Sequence, residues 1–424
     1  MKQGKKHKGL LLVCALAAFV SEMKEGVALE LTAPFVLEST QVLPAGVRNP
    51  RFLNFFMSVE SKFDRGGVSQ PLGSPLNRVV RWNDIIRLET DETRKSMLGA
   101  LVQRAHVDPN GGPGNTTGQV NSFLDAKVPV LAMGLTKRFT VGLAVPVLSF
   151  SVSADSGFSK SEDGQAFAKH LCSVNVVECN SVAERLNNAV NEKLKKLGYK
   201  PVGSKRVSNV GDIQLVGKYL LYEDSDQFIS VKSTVIFPTG ISPNPDDPID
   251  LPTGEGRFQW GNLVAYDRIF AEDYRLNFYG GFTALLPNKM EKRIPEFEND
   301  PLSPNKEMLT RKLGGVVSMG TSLLRSFASL GIRAGAGYTF QYQTQPRYSG
   351  GSQFSQERYS FLEDLTPAQV LHSATLVAGF SSVEWYQQKK FFYPMQANLI
   401  YSHPVFGRNV ATSDVISGEV VLFF

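Results

Sequence analysis

Residues 274–286 read YRLNFYGGFTALL, and their alternation decides the fold class. Every second residue, from Tyr274 to Leu286, is apolar or small, whereas the residues between them are mixed in character. A period of two residues is typical of a β-strand with two different faces. The alternating segment is longer than the ~5–6 residues of a usual strand, and it is long enough for a tilted strand that crosses a bilayer, which needs ~9–11 residues. The segment therefore predicts a transmembrane strand.

The same alternation recurs along the chain, most clearly in residues 213–222 and 329–342. When the predicted strands given below are counted along the chain, the connections after the even-numbered strands are short, whereas most connections after the odd-numbered strands are long. An even strand count with short turns at one end and long loops at the other is typical of outer-membrane barrels. The predicted strands are 52–63, 122–136, 139–153, 209–222, 227–240, 257–271, 274–288, 309–324, 327–344, 371–386, 392–403 and 412–424. The predicted long external loops are 64–121, 154–208, 241–256, 289–308 and 345–370.

The predicted fold class is all-β, a transmembrane antiparallel β-barrel of about twelve strands formed by residues 52–424. Residues 90–106 and 181–198 have apolar positions at helical spacing, so that short helices are expected in the external loops. The alternative is a large soluble barrel whose apolar faces point inward. The mean hydropathy of −0.13 is too polar for a helical membrane protein, and 42% hydrophobic residues are too many for a disordered chain.

The first 28 residues have the pattern of a secretory signal peptide. A basic leader precedes the apolar residues 10–20, and Gly26 and Ala28 are small residues before the expected cleavage site. The alternative is a retained membrane anchor. Loss of residues 1–28 removes five Lys and two Glu and lowers the formal net charge from +5 to +2, which argues against nucleic acid as a partner. Residues 29–51 would then form either a lumen plug or a periplasmic tail.

Two cysteines follow the signal peptide, Cys172 and Cys179. In an oxidising compartment their spacing favours a local disulfide. A metal pair is the alternative, with His170 near but no third ligand at the usual spacing. We predict the disulfide, no metal and no cofactor.

The chain ends on a strand whose alternate residues share one face. These residues are Gly418, Val420, Leu422 and Phe424. An amphipathic final strand with a terminal aromatic resembles the β-signal read by the barrel-assembly machinery. Because an open strand edge cannot persist in lipid, the closing strand must remain available for pairing until closure. An assembly signal is therefore predicted, with an ordinary buried C-terminal strand as the alternative.

If the apolar faces contact lipid, the opposite faces line the lumen. Both signs of charge occur there, so that no single-sign field selects anions or cations. The alternative to a solute-binding role is a solvated or salt-bridged lumen. The charged candidates are Glu60, Lys218, Lys232, Arg275, Arg333 and Glu384, and apolar contacts are expected from Leu148, Phe150 and Tyr222.

Some twelve-stranded barrels are lipid hydrolases that use serine and histidine. The chain after residue 28 has four histidines, His106, His170, His372 and His403. His372 and the adjacent Ser373 point to opposite faces of a strand and form no dyad. No nucleophile elbow, zincin helix or phosphate-binding glycine loop occurs in the sequence. We predict that the chain is not an enzyme, with a lipid hydrolase as the minor alternative.

Four short motifs resemble those of a known family. Gly211-Asp212-Ile213 opens a strand and Lys218-Tyr219 follows within it. Phe237-Pro238-Thr239-Gly240 ends the next strand, and Gly254-Glu255-Gly256 comes after it. Over residues 209–424 the chain resembles the outer-membrane family described as a component of phenol degradation, which is related to the long-chain fatty-acid transporter barrels. The long loops 64–121 and 154–208 depart from the family pattern.

The resemblance implies a bacterial outer-membrane channel that moves small hydrophobic or aromatic solutes. Its expected partners are outer-membrane lipid, the barrel-assembly machinery and the solute. The rival interpretation is a surface barrel with a closed lumen, whose loops bind a partner and which transports nothing.

Overall fold

The computed structural model describes residues 31, 36–74, 77–83, 86, 92–108, 110–173, 194–271, 273–298 and 302–424. The predicted signal peptide, Cys179 and most of the predicted helix 181–198 lie outside the described residues, as does the side chain of Cys172.

Twelve antiparallel strand positions close into one barrel, which confirms the predicted architecture. The last strand pairs with the first, and the first pairs with the second from Arg48 opposite Met133 to Val59 opposite Ser122. The third and fourth positions each consist of two segments. The strands are β1 Arg48–Val59, β2 Gly114–Thr136, β3 Phe139–Ala144 with Val147–Lys160, β4 Lys205–Val210 with Ile213–Glu223, β5 Gln227–Phe237, β6 Gln259–Phe270, β7 Tyr274–Leu285, β8 Gly314–Phe327, β9 Ile332–Gln343, β10 Gln369–Ser381, β11 Met395–Arg408 and β12 Val415–Leu422.

The breaks in β3 and β4 lie side by side. Pro146 has no amide hydrogen for the ladder, and its carbonyl accepts a hydrogen bond from Gly211 N at 2.8 Å. Several strand ends also differ from the prediction. β2 begins at Gly114 and β3 continues to Lys160, because the two strands stay paired beyond the apolar belt, where the exposed residues of β2 are the polar Asn115, Thr117, Gln119 and Asn121.

The outer wall of the barrel is apolar, as the alternation predicts. On β7, Phe278 and Phe282 are half-exposed, whereas the neighbouring Asn277 is buried on the inner side. Exposed apolar surface in water costs roughly 25 cal/mol per Å², a cost that is absent in lipid. Because these faces point outward, the soluble barrel with inward apolar faces is wrong. Other outward residues of this belt are Trp260, Val264, Met319, Leu376, Leu399 and Val420.

Aromatic side chains cluster at the end with the short turns. Phe270 stacks on Tyr274 with ring centroids 5.4 Å apart, and Phe391 stacks on Phe392 at 4.7 Å. The Phe424 ring lies 5.9 Å from the ring of Tyr393. Aromatic girdles of this kind mark the interfaces of membrane barrels.

The described parts of the long loops pack into a layer over the other end of the barrel, called the cap below. The described residues of the cap include the helices α1 Glu92–Arg104, α2 Glu162–Ser173 and α3 Gln356–Leu365. Another short helix, α4 Val383–Gln387, lies outside the cap and follows β10 at the short-turn end. Glu92 in the first turn and Arg104 in the last turn complement the dipole of α1. A three-stranded sheet of the cap pairs Asn288–Arg293 with Lys306–Arg311, and Lys306–Arg311 with Tyr348–Ser349.

The cap has an apolar core of its own. Leu98 and Val102 on one face of α1 pack around Trp82, whose ring lies 4.5 Å from the ring of Phe167 on α2. The predicted helix at residues 90–106 is therefore confirmed as α1. Among the residues that the structure describes, no helix is both long and apolar enough to span a membrane.

Candidate functional site

The described N-terminal residues lie against the inner wall of the barrel. Thr40 donates from its backbone N and its Oγ1 to the Asp267 carboxylate on β6, at 2.9 and 2.7 Å. Leu43 N donates to Thr140 Oγ1 on β3 at 2.7 Å. Because β3 and β6 are separated by two strands, residues 36–46 cross the lumen. These residues are called the inner segment below.

Both ends of this N-terminal stretch have contacts that fix its direction. Leu31 is buried with Leu371 and Val410 near the cap end of the barrel. Gly46 N donates to the carbonyl oxygen of Gly134 at 2.8 Å, near the short-turn end. The chain therefore runs down the lumen before β1 begins.

Two of the predicted lumen cations bind the inner segment. Lys232 on β5 forms an ion pair with the Glu38 carboxylate. Lys218 on β4 donates from Nζ to the carbonyl oxygen of Ser39. A buried charge without a partner costs several kcal/mol. These contacts therefore satisfy both cations and hold the inner segment on the β4–β5 wall.

Asp267 is fully buried, and Arg275 is a further partner of its carboxylate. Arg275 Nη1 lies 3.3 Å from Asp267 Oδ2, and Asn277 Nδ2 donates to Asp267 Oδ1 at 2.5 Å. With its amide oxygen turned toward Arg275, Gln41 accepts from the guanidinium at 3.1 and 3.2 Å. The sequence prediction missed Asp267, although the alternation of residues 257–271 places it inward.

Arg333 on β9 belongs to a second network, on the wall opposite β4 and β5. Its Nη2 donates to Asn398 Oδ1 at 2.7 Å, and Asn398 Nδ2 donates to Glu419 Oε2 at 2.7 Å. Arg51 Nη1 lies 3.0 Å from Glu419 Oε1. Lys218 on β4 and Arg333 on β9 thus lie on different walls and do not share a hydrogen-bond partner.

Two predicted lumen carboxylates are wrong. Glu60 is exposed beyond the end of β1, where the carbonyl of residue 60 accepts a hydrogen bond from Leu72 N at 2.8 Å. Glu384 is exposed on α4, because β10 ends at Ser381. Tyr222 is also wrong as an inner residue, since it is half-exposed and its hydroxyl donates to Asp224 in the adjacent turn.

Above the inner segment, one side of the lumen is lined by apolar side chains. They come from β1, β2, β3 and β12, which are neighbours in the closed barrel. Phe150 was predicted here, and the partly buried Leu148 packs against the same group. This surface, called the apolar wall below, consists of Phe55, Met57, Val59, Leu124, Ala126, Phe150, Val152 and Val415.

Two histidines point away from the lumen. Tyr338 Oη lies 2.6 Å from His372 Nδ1, and His403 Nδ1 lies 2.7 Å from Asp414 Oδ1. Both histidines alternate with buried, inward residues of β10 and β11. Their hydrogen-bond partners are on the outer wall, so that neither histidine faces a solute inside the barrel.

The cap is fastened by a buried arginine. Arg293 donates to the carbonyl oxygens of Leu197, Gly198 and Ser303 at 2.7–2.8 Å. It also binds Asp246 Oδ1 at 2.6 Å, and its guanidinium lies 3.7 Å from the ring centroid of Tyr199. Four separate stretches of the loops therefore meet at one side chain.

Glu307, in the cap strand Lys306–Arg311, binds α3 and the segment that precedes it. It accepts hydrogen bonds from Ser352 N at 2.8 Å, from Gln353 N at 3.2 Å and from the Tyr359 hydroxyl at 2.5 Å. Burial opposes ionisation of Glu307, but these hydrogen bonds hold its pKa below the ordinary value.

Acid should therefore loosen this part of the cap. A carboxyl whose pKa is lowered on folding stabilises the fold above its unfolded-state pKa, and this contribution disappears as the pH falls through the folded-state pKa. We expect faster amide exchange of residues 352–365 below about pH 4, after correction for the intrinsic rate. Glu307→Gln keeps an acceptor oxygen without the charge, and it should show a smaller difference between pH 6 and pH 3. An unchanged difference would contradict this role of Glu307.

Comparisons with known proteins give distant structural likenesses. No family model and no curated protein matches the chain. A crystal structure of an outer membrane channel from Pseudomonas putida F1 has 12% identity and a TM-score of 0.49, covering 92% of this chain and 99% of that one.

Two further solved structures are more distant. The toluene transporter TodX from Pseudomonas putida has 9% identity and a TM-score of 0.32, covering 90% of each chain. A FadL homologue from Pseudomonas aeruginosa has 8% identity and a TM-score of 0.30, covering 89% of this chain and 90% of that one. At such similarity the architecture of this chain rests on its own strand register.

Proposed function

We propose that the chain is an outer-membrane channel for small hydrophobic or aromatic solutes. The observation that carries this function is the apolar wall inside a closed barrel whose outer belt is also apolar. Ligand sites for such solutes are concave and mostly apolar, with few polar groups. Phe55, Met57 and Phe150 place apolar side chains on the inner side, where a hydrophobic solute can contact them.

The inner segment is the plug of this channel in the proposal. Lys218, Lys232 and Arg275 hold it, so that these predicted solute-binding residues bind the plug rather than the solute. Arg333 braces the opposite wall through Asn398 and Glu419. Solute entering along the apolar wall passes toward the short-turn end when the inner segment moves.

The outer surface fits the same proposal. The apolar belt contacts outer-membrane lipid, and the aromatic rim lies at the periplasmic interface. In this proposal the chain acts as a channel and not as an enzyme. The signal peptide and the disulfide between Cys172 and Cys179 stay predictions.

Uptake into whole cells tests the proposed function. Cells retain the lipopolysaccharide leaflet, which retards hydrophobic solutes, whereas simple liposomes are leaky to them. A strain that produces the chain should take up a labelled alkylbenzene faster than a strain without it, with little change for a sugar of similar size. Equal alkylbenzene uptake by the two strains would refute the channel.

Phe424 should matter for assembly. Its backbone N donates to the Arg48 carbonyl at 3.0 Å and its carbonyl accepts from Arg48 N at 3.0 Å, so that Phe424 extends the pairing between β12 and β1. Deleting Phe424 should lower the heat-shifted, folded band on gels about fivefold, because an unpaired edge is unstable in lipid. Phe392→Ala, which removes an exposed ring at the same rim, should leave the band unchanged. Full assembly of the variant that lacks Phe424 would contradict the predicted assembly signal.

A further inference from the structure

Asp212 clasps two distant parts of the chain together. Its Oδ1 accepts a hydrogen bond from Gly240 N at 2.9 Å, and its Oδ2 accepts one from Glu255 N at 2.9 Å. Asp212 lies between the two segments of β4, whereas Gly240 and Glu255 are at the two ends of the β5–β6 loop. One carboxylate therefore fixes both ends of that loop.

Threonines on either side of Asp212 reinforce the clasp. Thr239 Oγ1 donates to the Gly211 carbonyl at 2.9 Å, and Thr253 Oγ1 donates to the Val210 carbonyl at 3.0 Å. A Cβ on Gly240 would lie 2.5 Å from the Thr253 carbonyl oxygen, so that only glycine allows this approach. These motif residues thus form one hydrogen-bonded unit that the sequence scatters over more than forty positions.

The loop that the clasp fixes reaches across the lumen. Leu251 is 5% exposed and packs on the apolar wall, with Ile249 partly buried beside it. The wall belongs to β1, β2, β3 and β12, whereas the loop starts from β5 and returns to β6. Leu251 therefore covers apolar surface on strands that its own strands do not touch.

Charged residues tie the same loop to its surroundings. The buried Asp247 forms an ion pair with Lys205 at the start of β4, and Asp246 binds Arg293 in the β7–β8 loop. These contacts hold the charged residues in place, while Leu251 packs on the apolar wall. The loop is thus a bridge with one polar and one apolar side.

We propose that Leu251 is the gate and size filter of the channel, and that Asp212 is the positioning residue that returns the loop to the closed position. This inference rests on the proposed function. In the closed state the Leu251 side chain occupies the surface that a hydrophobic solute would use. A solute passes by taking the place of that side chain on the apolar wall.

Uptake of two alkylbenzenes, one small and one bulky, tests the gate in whole cells. Leu251→Ala should raise the uptake rate at least threefold, more for the bulky solute. Leu251→Trp should lower uptake at least threefold, again more for the bulky solute. Leu313→Ala, an exposed leucine in another long loop, is the matched control and should behave as wild type. The heat-dependent gel shift confirms that each variant has folded.

Amide exchange of residues 241–256 tests the clasp without transport. Asp212→Ala removes both acceptor oxygens and should raise exchange there at least tenfold, whereas Asp212→Asn keeps one acceptor oxygen and should have a smaller effect. Asp226→Asn, in a short turn at the other end of the barrel, is the control. Exchange unchanged in Asp212→Ala would overturn the positioning role.

Failure of the gate and failure of the channel give different results. If wild-type cells show chain-dependent uptake but both Leu251 variants match Leu313→Ala, the gate is refuted and the channel stands. If wild-type cells show no chain-dependent uptake, the proposed function fails and the gate fails with it.

Discussion

Deleting residues 31–45 should raise the single-channel conductance in planar bilayers about tenfold, because the inner segment then no longer fills the polar part of the lumen. The segment is held by side chains of four strands, through Glu38, Ser39, Thr40 and Leu43. The barrel wall pairs strand to strand without it, so that closure should survive the deletion.

An ion-pair exchange provides the matched control for this prediction. Glu38→Lys places two cations together and should raise the conductance, since like charges repel. Adding Lys232→Glu restores an opposite pair and should return the conductance toward wild type. A deletion variant with wild-type conductance, or an exchange pair that fails to restore it, would contradict the plug.

Arg293→Met should destabilise the cap more than the substitution of any exposed residue. Breaking a buried charged network typically costs about 3–5 kcal/mol, because the partners are left without hydrogen bonds. Here four backbone carbonyls lose a hydrogen bond from Arg293, and the Asp246 carboxylate keeps, among the described residues, only Lys306 as its charged partner. Since 1.36 kcal/mol is a factor of ten, we expect amide exchange of residues 240–256 and 288–298 to rise at least a hundredfold.

The control is Arg325→Met at the opposite end of the barrel. Arg325 is exposed and lies over the rings of Tyr274 and Phe327 at 5.0 and 4.6 Å. Its loss should change stability by no more than about 0.5 kcal/mol, which is usual for surface positions. Equal exchange in the Arg293 and Arg325 variants would show that the cap does not depend on Arg293.

The alternation of residues along each strand predicted the barrel because one face had to meet lipid. The prediction failed where that requirement ends. Above the belt, β2 extends up to Gly114 and β3 extends to Lys160, and the exposed residues of β2 there are polar. At the other end, β10 stops at Ser381, and the aromatic residues that follow belong to the rim.

The sequence predicted which charged residues face the lumen only where the strand boundaries were predicted correctly. Period two placed Lys218, Lys232, Arg275 and Arg333 on the inner wall, but it failed for Glu60 and Glu384, which lie past strand ends. Their partners could not be predicted, because Glu38 and Lys232 are 194 residues apart in sequence. Contacts over such separations depend on how the closed barrel brings strands together.

Saturable photolabelling tests the central claim that hydrophobic solutes occupy the lumen. An alkylbenzene that carries a diazirine would be irradiated with the full-length protein in outer-membrane vesicles, with and without excess unlabelled alkylbenzene. The account predicts competable adducts on the apolar wall and its covering loop, at Met57, Leu124, Phe150 and Leu251. Adducts confined to the outer belt, at residues such as Phe278 and Leu376, and insensitive to competition would contradict it.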